Sequence, residues 1–118
     1  MTRRHALGLV AAAMRAAPDE PPVRALRVTV LSTMLADRGI GEWGFAALIE
    51  VNGRRILFDT GARPDTVLKN SKDLNIDLSH ISDVILSHNH GDHTGGFMTM
   101  RETLGARNPK ALSRAWVV

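Results

Sequence analysis

The dipeptide Asn52-Gly53 separates two short apolar runs, at residues 45–51 and 55–58. Asn-Gly readily adopts the positive φ angles of a two-residue type I′ turn, whose twist matches that of paired strands. The sequence therefore predicts an antiparallel β-hairpin in which residues 45–51 pair with residues 54–59. A chain with this hairpin near its middle must build at least part of its core on a β-sheet.

Further strands and helices are indicated on both sides of the hairpin. Partial alternation and β-branched residues predict a strand before it, and a proline at the start of an apolar-sided segment predicts a helix after it. Together these elements indicate an α/β fold class. The predicted elements are a strand at 23–32, a helix at 64–74, a short buried strand at 84–86, a helix from about 94 to 104 and a strand beginning at 116–118.

Composition limits the class of protein. A chain of 118 residues holds at most one ordinary domain, and 44% hydrophobic with 23% charged residues is typical of a globular chain rather than a disordered one. No apolar run approaches the ~18 residues that cross a bilayer, so no transmembrane segment is predicted. The absence of cysteine excludes disulfides, thiolate metal sites and cysteine nucleophiles.

The net charge of +3 originates in a short N-terminal stretch. Residues 1–18 contain Arg3, Arg4 and Arg15 and no acid, whereas basic and acidic residues balance in the rest of the chain. The aromatic residues are two tryptophans and three phenylalanines, and no basic stripe accompanies them. This pattern does not support a nucleic-acid partner.

Residues 1–22 differ in composition from the remainder of the chain. A basic start is followed by an apolar stretch at residues 6–14 and then by small residues and prolines, which are the parts of an export signal. The adjacent Arg3 and Arg4 loosely resemble a twin-arginine signal. A frayed leader or a misassigned start codon is the alternative. The chain is therefore cytoplasmic or exported, and residues 23–118 form the predicted domain.

The densest chemical signal is a group of three histidines and one aspartate at residues 88–93, directly after the predicted buried strand. Side chains two positions apart share one side of an extended segment, so His88 and His90 can point together, with Asp92 continuing the alternation and His93 following it. Imidazole nitrogens and a carboxylate suit zinc and related divalent metals. The alternatives are a polar surface loop and an unstructured histidine-rich tract. The isolated His5 and His80 are interpreted as surface residues.

The sequence His-Asn-His-Gly-Asp-His at residues 88–93 resembles the HxHxDH signature of the metallo-β-lactamase-fold hydrolases. The resemblance covers about residues 26–105. It extends to the Asp-Thr-Gly that ends residues 56–61, to the Glu-Trp-Gly-Phe-Ala at residues 42–46 and to the exit Asp-His-Thr-Gly-Gly at residues 92–96. Within that superfamily the chain is most similar to the branch of ribofuranosylaminobenzene-phosphate-synthase-like or dihydropteroate-synthase-related hydrolases.

The resemblance implies an αββα sandwich and a dinuclear metal site. His88 and His90 would bind the first metal, and Asp92 and His93 the second. Asp59 would lie beside the metals without binding them, or would simply form the turn at a strand end. Zinc is the expected metal, with manganese or iron as alternatives. The implied reaction is hydrolysis of an ester, amide, thioester or phosphoester by metal-activated water, which Asp92 would also orient.

The sequence departs from the family after His93. The family completes its site with a further histidine, a bridging aspartate and a last histidine, whereas residues 94–118 contain no histidine and no aspartate. The chain is therefore expected to be the N-terminal part of such an enzyme and inactive alone, with self-association through exposed sheet edges. A metal-binding remnant without turnover and an interaction module remain the alternatives.

Overall fold

The computed structural model describes residues 20–118, so the predicted leader lies almost wholly outside the described residues. Five strands in this part of the chain form one sheet whose spatial order follows the sequence. None of its helices has the length and apolar character needed to cross a membrane. The strands are β1 (Leu26–Ser32), β2 (Ala46–Val51), β3 (Arg54–Phe58), β4 (Asp83–Leu86) and β5 (Arg114–Val117), and the helices are α1 (Thr66–Asp73), α2 (Gly91–Thr94) and α3 (Phe97–Arg107).

The predicted hairpin is confirmed. β2 and β3 pair antiparallel, with Val51 opposite Arg54 at the turn. Asn52 and Gly53 have φ angles of 49° and 83°, which are the left-handed values that a type I′ turn requires. The amide oxygen of Asn52 also accepts a hydrogen bond of 2.8 Å from the N–H of Arg24, so the turn holds the segment that leads into β1.

The sheet changes from antiparallel to parallel pairing at β3. β1, β2 and β3 are antiparallel neighbours, whereas β3, β4 and β5 are parallel. Parallel neighbours need crossover connections, and α1 provides the first while α2 and α3 provide the second. The carboxyl ends of β3 and β4 therefore lie at the same edge of the sheet, which brings residues 59–61 close to residues 87–90.

The two faces of the sheet differ in their packing. On one face, Leu48, Leu57 and Val84 lie in register and are buried under Val67 of α1 and Met100 of α3. The other face, which we call the open face, is exposed mainly on the two edge strands, where Val28, Val30 and Trp116 are 55%, 47% and 61% accessible. Ala47 on this face is buried, and its other central residues are partly buried. The apolar members of the open face are Leu26, Val28, Val30, Ala47, Ile49, Val51, Ile56, Phe58, Ile85 and Trp116, with the ion-paired Arg54, Asp83 and Arg114 at one end.

The helix predicted from about residue 94 to 104 is divided in the structure. α2 starts earlier, at Gly91, and α3 begins only at Phe97 and continues to Arg107. The interruption falls at Gly95 and Gly96, because a neighbouring segment crosses closely there. A Cβ atom on Gly95 would lie 1.9 Å from the carbonyl oxygen of Ala62. The other predicted elements are confirmed with shifts of one to three residues at their ends.

Candidate metal centre

The candidate site lies at the carboxyl edge of the parallel pair β3 and β4. Asp59 follows β3 directly and adopts a φ of 58°, in the left-handed region that aspartate tolerates better than most residues. Its carboxylate is fully buried, and Ser87 and His88 follow β4 beside it. The sheet topology thus places a buried acid next to the histidine segment, although 29 positions separate Asp59 from His88.

The Asp59 carboxylate makes three contacts with the histidine segment. Its Oδ1 accepts a hydrogen bond of 2.8 Å from the N–H of Ser87. Its Oδ2 accepts one of 2.6 Å from the Ser87 hydroxyl and lies 2.7 Å from Nδ1 of His93. The structure therefore puts Asp59 in direct contact with His93, and this contact leaves Nε2 of His93 available to another partner.

The three histidine rings form one cluster. The ring centroids of His88 and His93 are 4.1 Å apart, and those of His88 and His90 are 4.7 Å apart. His88 and His90 are exposed, whereas the side chain of His93 is only 20% exposed. The cluster therefore has one partly buried and anchored ring with two exposed rings.

Asp92 lies at the side of this cluster. Its Oδ2 is 3.4 Å from Nε2 of His93, and its side chain is 31% exposed. Within residues 20–118, no three His, Cys, Asp or Glu side chains are placed so that they already surround one ion. Three imidazoles and a carboxylate nevertheless fit a divalent metal in donor chemistry, and the exposed ring of His90 has room to turn.

Backbone hydrogen bonds hold the histidine segment against the hairpin. The N–H of Phe45 donates to the carbonyl of Asp92 over 3.0 Å, and the N–H of Thr60 donates to the carbonyl of His93 over 2.7 Å. The N–H of Gly95 donates to the carbonyl of Gly61 over 2.9 Å. These bonds fix the path of the chain at the two residues, Asp92 and His93, that end the motif.

Glu42 organises the Asp-Thr-Gly loop from the other side. Its buried carboxylate accepts hydrogen bonds from the hydroxyls of Ser32 and Thr66 and from the N–H groups of Ala62 and Arg63, at 2.7 to 3.0 Å. Burial raises the pKa of Glu42, but these hydrogen bonds outweigh it and hold the pKa below its ordinary value. The sequence carries no periodic or spacing signal for this role, because its four partners lie 10 to 24 positions away.

His80, which the sequence predicts to be a surface residue, takes no part in the cluster. His80 has a side chain that is 77% exposed and lies 3.6 Å from Asp77, beyond ordinary hydrogen-bond distance. His5 lies outside the described residues. Ser87 is the contact residue that sequence reasoning missed, because a serine after a strand is common and carries no signal of its own.

Comparison with protein families gives one family match. A family model described as the metallo-beta-lactamase superfamily matches residues 44–111. The matched residues include β2, β3, the Asp-Thr-Gly loop and the whole histidine motif. They therefore contain every residue of the candidate site described above except Glu42 and Ser32.

Two curated proteins of Methanocaldococcus jannaschii are similar to the chain. One is named 7,8-dihydropterin-6-methyl-4-(beta-D-ribofuranosyl)-aminobenzene-5'-phosphate synthase and is 46% identical over 70 residues, which are 56% of this chain and 24% of that protein. The other is an uncharacterized protein, 43% identical over 53 residues, or 45% of this chain and 20% of that protein. The chain thus spans about a quarter or less of the curated relatives it matches.

Among solved structures, a candidate metallo-beta-lactamase from Thermotoga maritima is similar with a TM-score of 0.47 and 14% sequence identity. The similarity covers 79% of this chain and 58% of that one.

Proposed function

Because the chain belongs to the metallo-beta-lactamase superfamily, we propose that it supplies His88, His90, Asp92 and His93 to the metal site of a hydrolase. The observation that carries the proposal is the cluster of three imidazole rings beside a buried carboxylate, at the edge where two parallel strands end. A bound divalent metal would supply Lewis-acid chemistry, polarising a carbonyl or phosphoryl oxygen and lowering the pKa of water towards ~7.

The residues of the chain divide this work between them. His93 is held by Asp59 and presents Nε2 towards the cluster, and the exposed His88 and His90 supply the further nitrogen donors. Asp92 has an accessible carboxylate within 3.4 Å of His93. In the proposed reaction Asp92 both binds metal and accepts a hydrogen bond from the attacking water, which orients it.

The proposed substrate is a small molecule with an ester, amide, thioester or phosphoester bond. The metal is proposed to be zinc, with manganese or iron as alternatives, because all three accept imidazole and carboxylate ligands. The similarity to a protein named a synthase favours a second candidate, in which the same residues serve transfer to an acceptor other than water. A metal-binding chain without turnover is the remaining alternative.

Metal titration of the chain tests the proposal. Two metals sharing these four residues would have two protein donors each, fewer than zinc normally takes, so we expect binding of about one zinc ion, with lower affinity than a complete two-metal site. The double variant His88→Ala/His90→Ala should lose this binding, whereas His80→Ala, which removes an exposed histidine outside the cluster, should retain it. Binding that survives the loss of both histidines would overturn the site assignment.

Activity assays separate the candidates. Ester and phosphodiester substrates should be supplied with zinc, first to the 118-residue chain and then to a natural protein that contains it, if a longer one exists. We expect turnover in the 118-residue chain to be negligible. Hydrolysis that requires His88 and Asp92 would support the hydrolase, and product formation that requires a second substrate would support the transferase. Zinc binding without either activity would leave the metal-binding alternative.

A further inference from the structure

Ser87 links the buried acid to the first histidine of the motif. Its hydroxyl donates to Oδ2 of Asp59 over 2.6 Å and lies 2.8 Å from Nδ1 of His88. Its backbone N–H donates to the other oxygen of the same carboxylate over 2.8 Å. Ser87 is therefore held at two points by Asp59, and its hydroxyl oxygen faces the ring of His88.

The positions of the protons follow from the donors that are present. An ionised carboxylate only accepts hydrogen bonds, so both the Ser87 hydroxyl and Nδ1 of His93 must donate to Asp59. The single hydrogen of the Ser87 hydroxyl is then in use. Its oxygen can only accept from His88, which requires a hydrogen on Nδ1 of that ring. A neutral His88 then has its lone pair on Nε2.

We infer that Ser87 is a positioning residue that extends the effect of Asp59 to His88 and so selects the ring nitrogen through which His88 binds metal. One carboxylate thereby sets the tautomer of two histidines whose rings are 4.1 Å apart, one directly and one through the serine hydroxyl. Hydrogen bonds of this kind to the nitrogen that does not bind metal fix ring orientation and raise ligand basicity. The part of the inference that concerns metal binding rests on the proposed function. The tautomer of His88 in the metal-free chain does not depend on it.

His88 has particular need of such a contact. It is exposed, so burial does little to restrict its ring. His93, by contrast, is 20% exposed at its side chain and lies with its ring centroid 6.4 Å from that of Phe45. Without the Ser87 hydroxyl the His88 ring would lose its link to the buried carboxylate and would have to be ordered when metal binds.

Histidine NMR on the ¹⁵N-labelled, metal-free chain tests the tautomer directly, at a pH where the imidazoles are neutral. We expect His88 to carry its proton on Nδ1 in the wild type and in Ser87→Thr, which keeps a hydroxyl. Ser87→Ala should lose this preference. Ser113→Ala is the matched control, because it also removes a hydroxyl that donates over 2.8 Å to an acceptor, far from the histidines in the sequence.

Zinc titration of the same variants provides the second readout. We expect Ser87→Ala to bind zinc about tenfold more weakly, with Ser87→Thr and Ser113→Ala close to the wild type. A wild-type His88 protonated mainly on Nε2 would overturn the inference, as would a Ser87→Ala variant with an unchanged tautomer. If Ser87→Ala does not fold, the spectra of the wild type and Ser87→Thr still show which nitrogen of His88 carries the proton. If the wild type binds no zinc, the proposed function fails while the tautomer result stands separately.

Discussion

The carboxylate of Asp59 lies 2.7 Å from Nδ1 of His93, although 34 positions separate the two residues in the sequence. The Asp59 side chain is 1% exposed, so water competes little for this contact. A carboxylate in this place fixes the His93 ring with Nε2 pointing away from it. The orientation of the most anchored histidine of the cluster therefore depends on a residue outside the motif.

Replacing Asp59 with asparagine tests this dependence. Asparagine tolerates the φ of 58° at this position, so the variant removes the charge and one acceptor while the backbone keeps its path. The Ser87 hydroxyl and Nδ1 of His93 lose the carboxylate oxygen that they share, and we expect the free energy of unfolding to fall by about 1–3 kcal/mol. Zinc affinity should fall by at least about tenfold. Urea denaturation and zinc titration measure the two effects. Asp73→Asn at the exposed end of α1 is the control, and equal zinc affinity in Asp59→Asn and the wild type would contradict the prediction.

Glu42 predicts a specific dependence of stability on pH. Its pKa in the folded chain is below 4.5, so its contribution to stability is complete above that pH and is lost as the pH falls through the lowered folded-state pKa. Glu42→Gln cannot satisfy four donors and should lower the free energy of unfolding by about 1–3 kcal/mol near neutral pH.

Denaturation of Glu42→Gln and the wild type across an acidic pH series measures this dependence. The difference between their free energies of unfolding should become smaller as the pH falls below 4.5, because the wild-type carboxylate becomes protonated as the pH falls through its lowered pKa. Glu102→Gln, on the exposed side of α3, should show no such difference at any pH. If the difference in free energy of unfolding between Glu42→Gln and the wild type grew as the pH fell, the predicted direction of the pH dependence would be wrong.

Gly95 and Gly91 form a matched pair for a steric test. A Cβ on Gly95 would lie 1.9 Å from the carbonyl oxygen of Ala62, whereas one on Gly91 would meet nothing within 4 Å. Since the Ala62 atom belongs to the backbone, it cannot move aside as a side-chain end can. We expect Gly95→Ala to destabilise the chain by about 1–3 kcal/mol and Gly91→Ala to be neutral or slightly stabilising. Thermal denaturation compares them, and equal stabilities would contradict the close crossing of the two segments.

The open face predicts association of the chain in solution. Val28 and Val30 are about half exposed on the edge strand β1, and Trp116 is 61% exposed on the opposite edge strand β5. An exposed apolar surface of this kind favours contact with another molecule. Sedimentation velocity should show association of the wild type that Val28→Lys/Val30→Lys reduces. Leu35→Lys, which alters an 86% exposed residue in a loop, should have no effect. A monomeric wild type would contradict the prediction.

The elements that the sequence predicts well are those fixed by local chemistry. Asn52-Gly53 predicts its hairpin because the two positive φ angles are a property of those residues alone. The histidine motif is equally local. The division of the helix near Gly95 was missed because its cause is the backbone of Ala62, which no helical propensity encodes.

The supporting residues of the candidate site are less accessible to sequence reasoning. The sequence predicts that Asp59 is either a turn residue or a residue beside the metals, and its contact with His93 arises only when β3 and β4 pair in parallel. Glu42 belongs to a segment that carries the family resemblance, but neither it nor Ser87 has a sequence signal for its contacts, since a single acid or serine becomes informative only when its partners are known. Self-association through the sheet edges stays a prediction, and the most exposed apolar residues of the sheet lie on the edge strands β1 and β5.

The backbone bonds from Phe45 to Asp92 and from Thr60 to His93 also imply an order of folding. The hairpin closes over two residues, whereas the Thr60–His93 contact closes a loop whose ends are 33 positions apart. Closing a longer loop costs more entropy, so the hairpin is expected to form first and the histidine segment to dock on it afterwards. During synthesis each motif residue leaves the ribosome after the strands that will orient it.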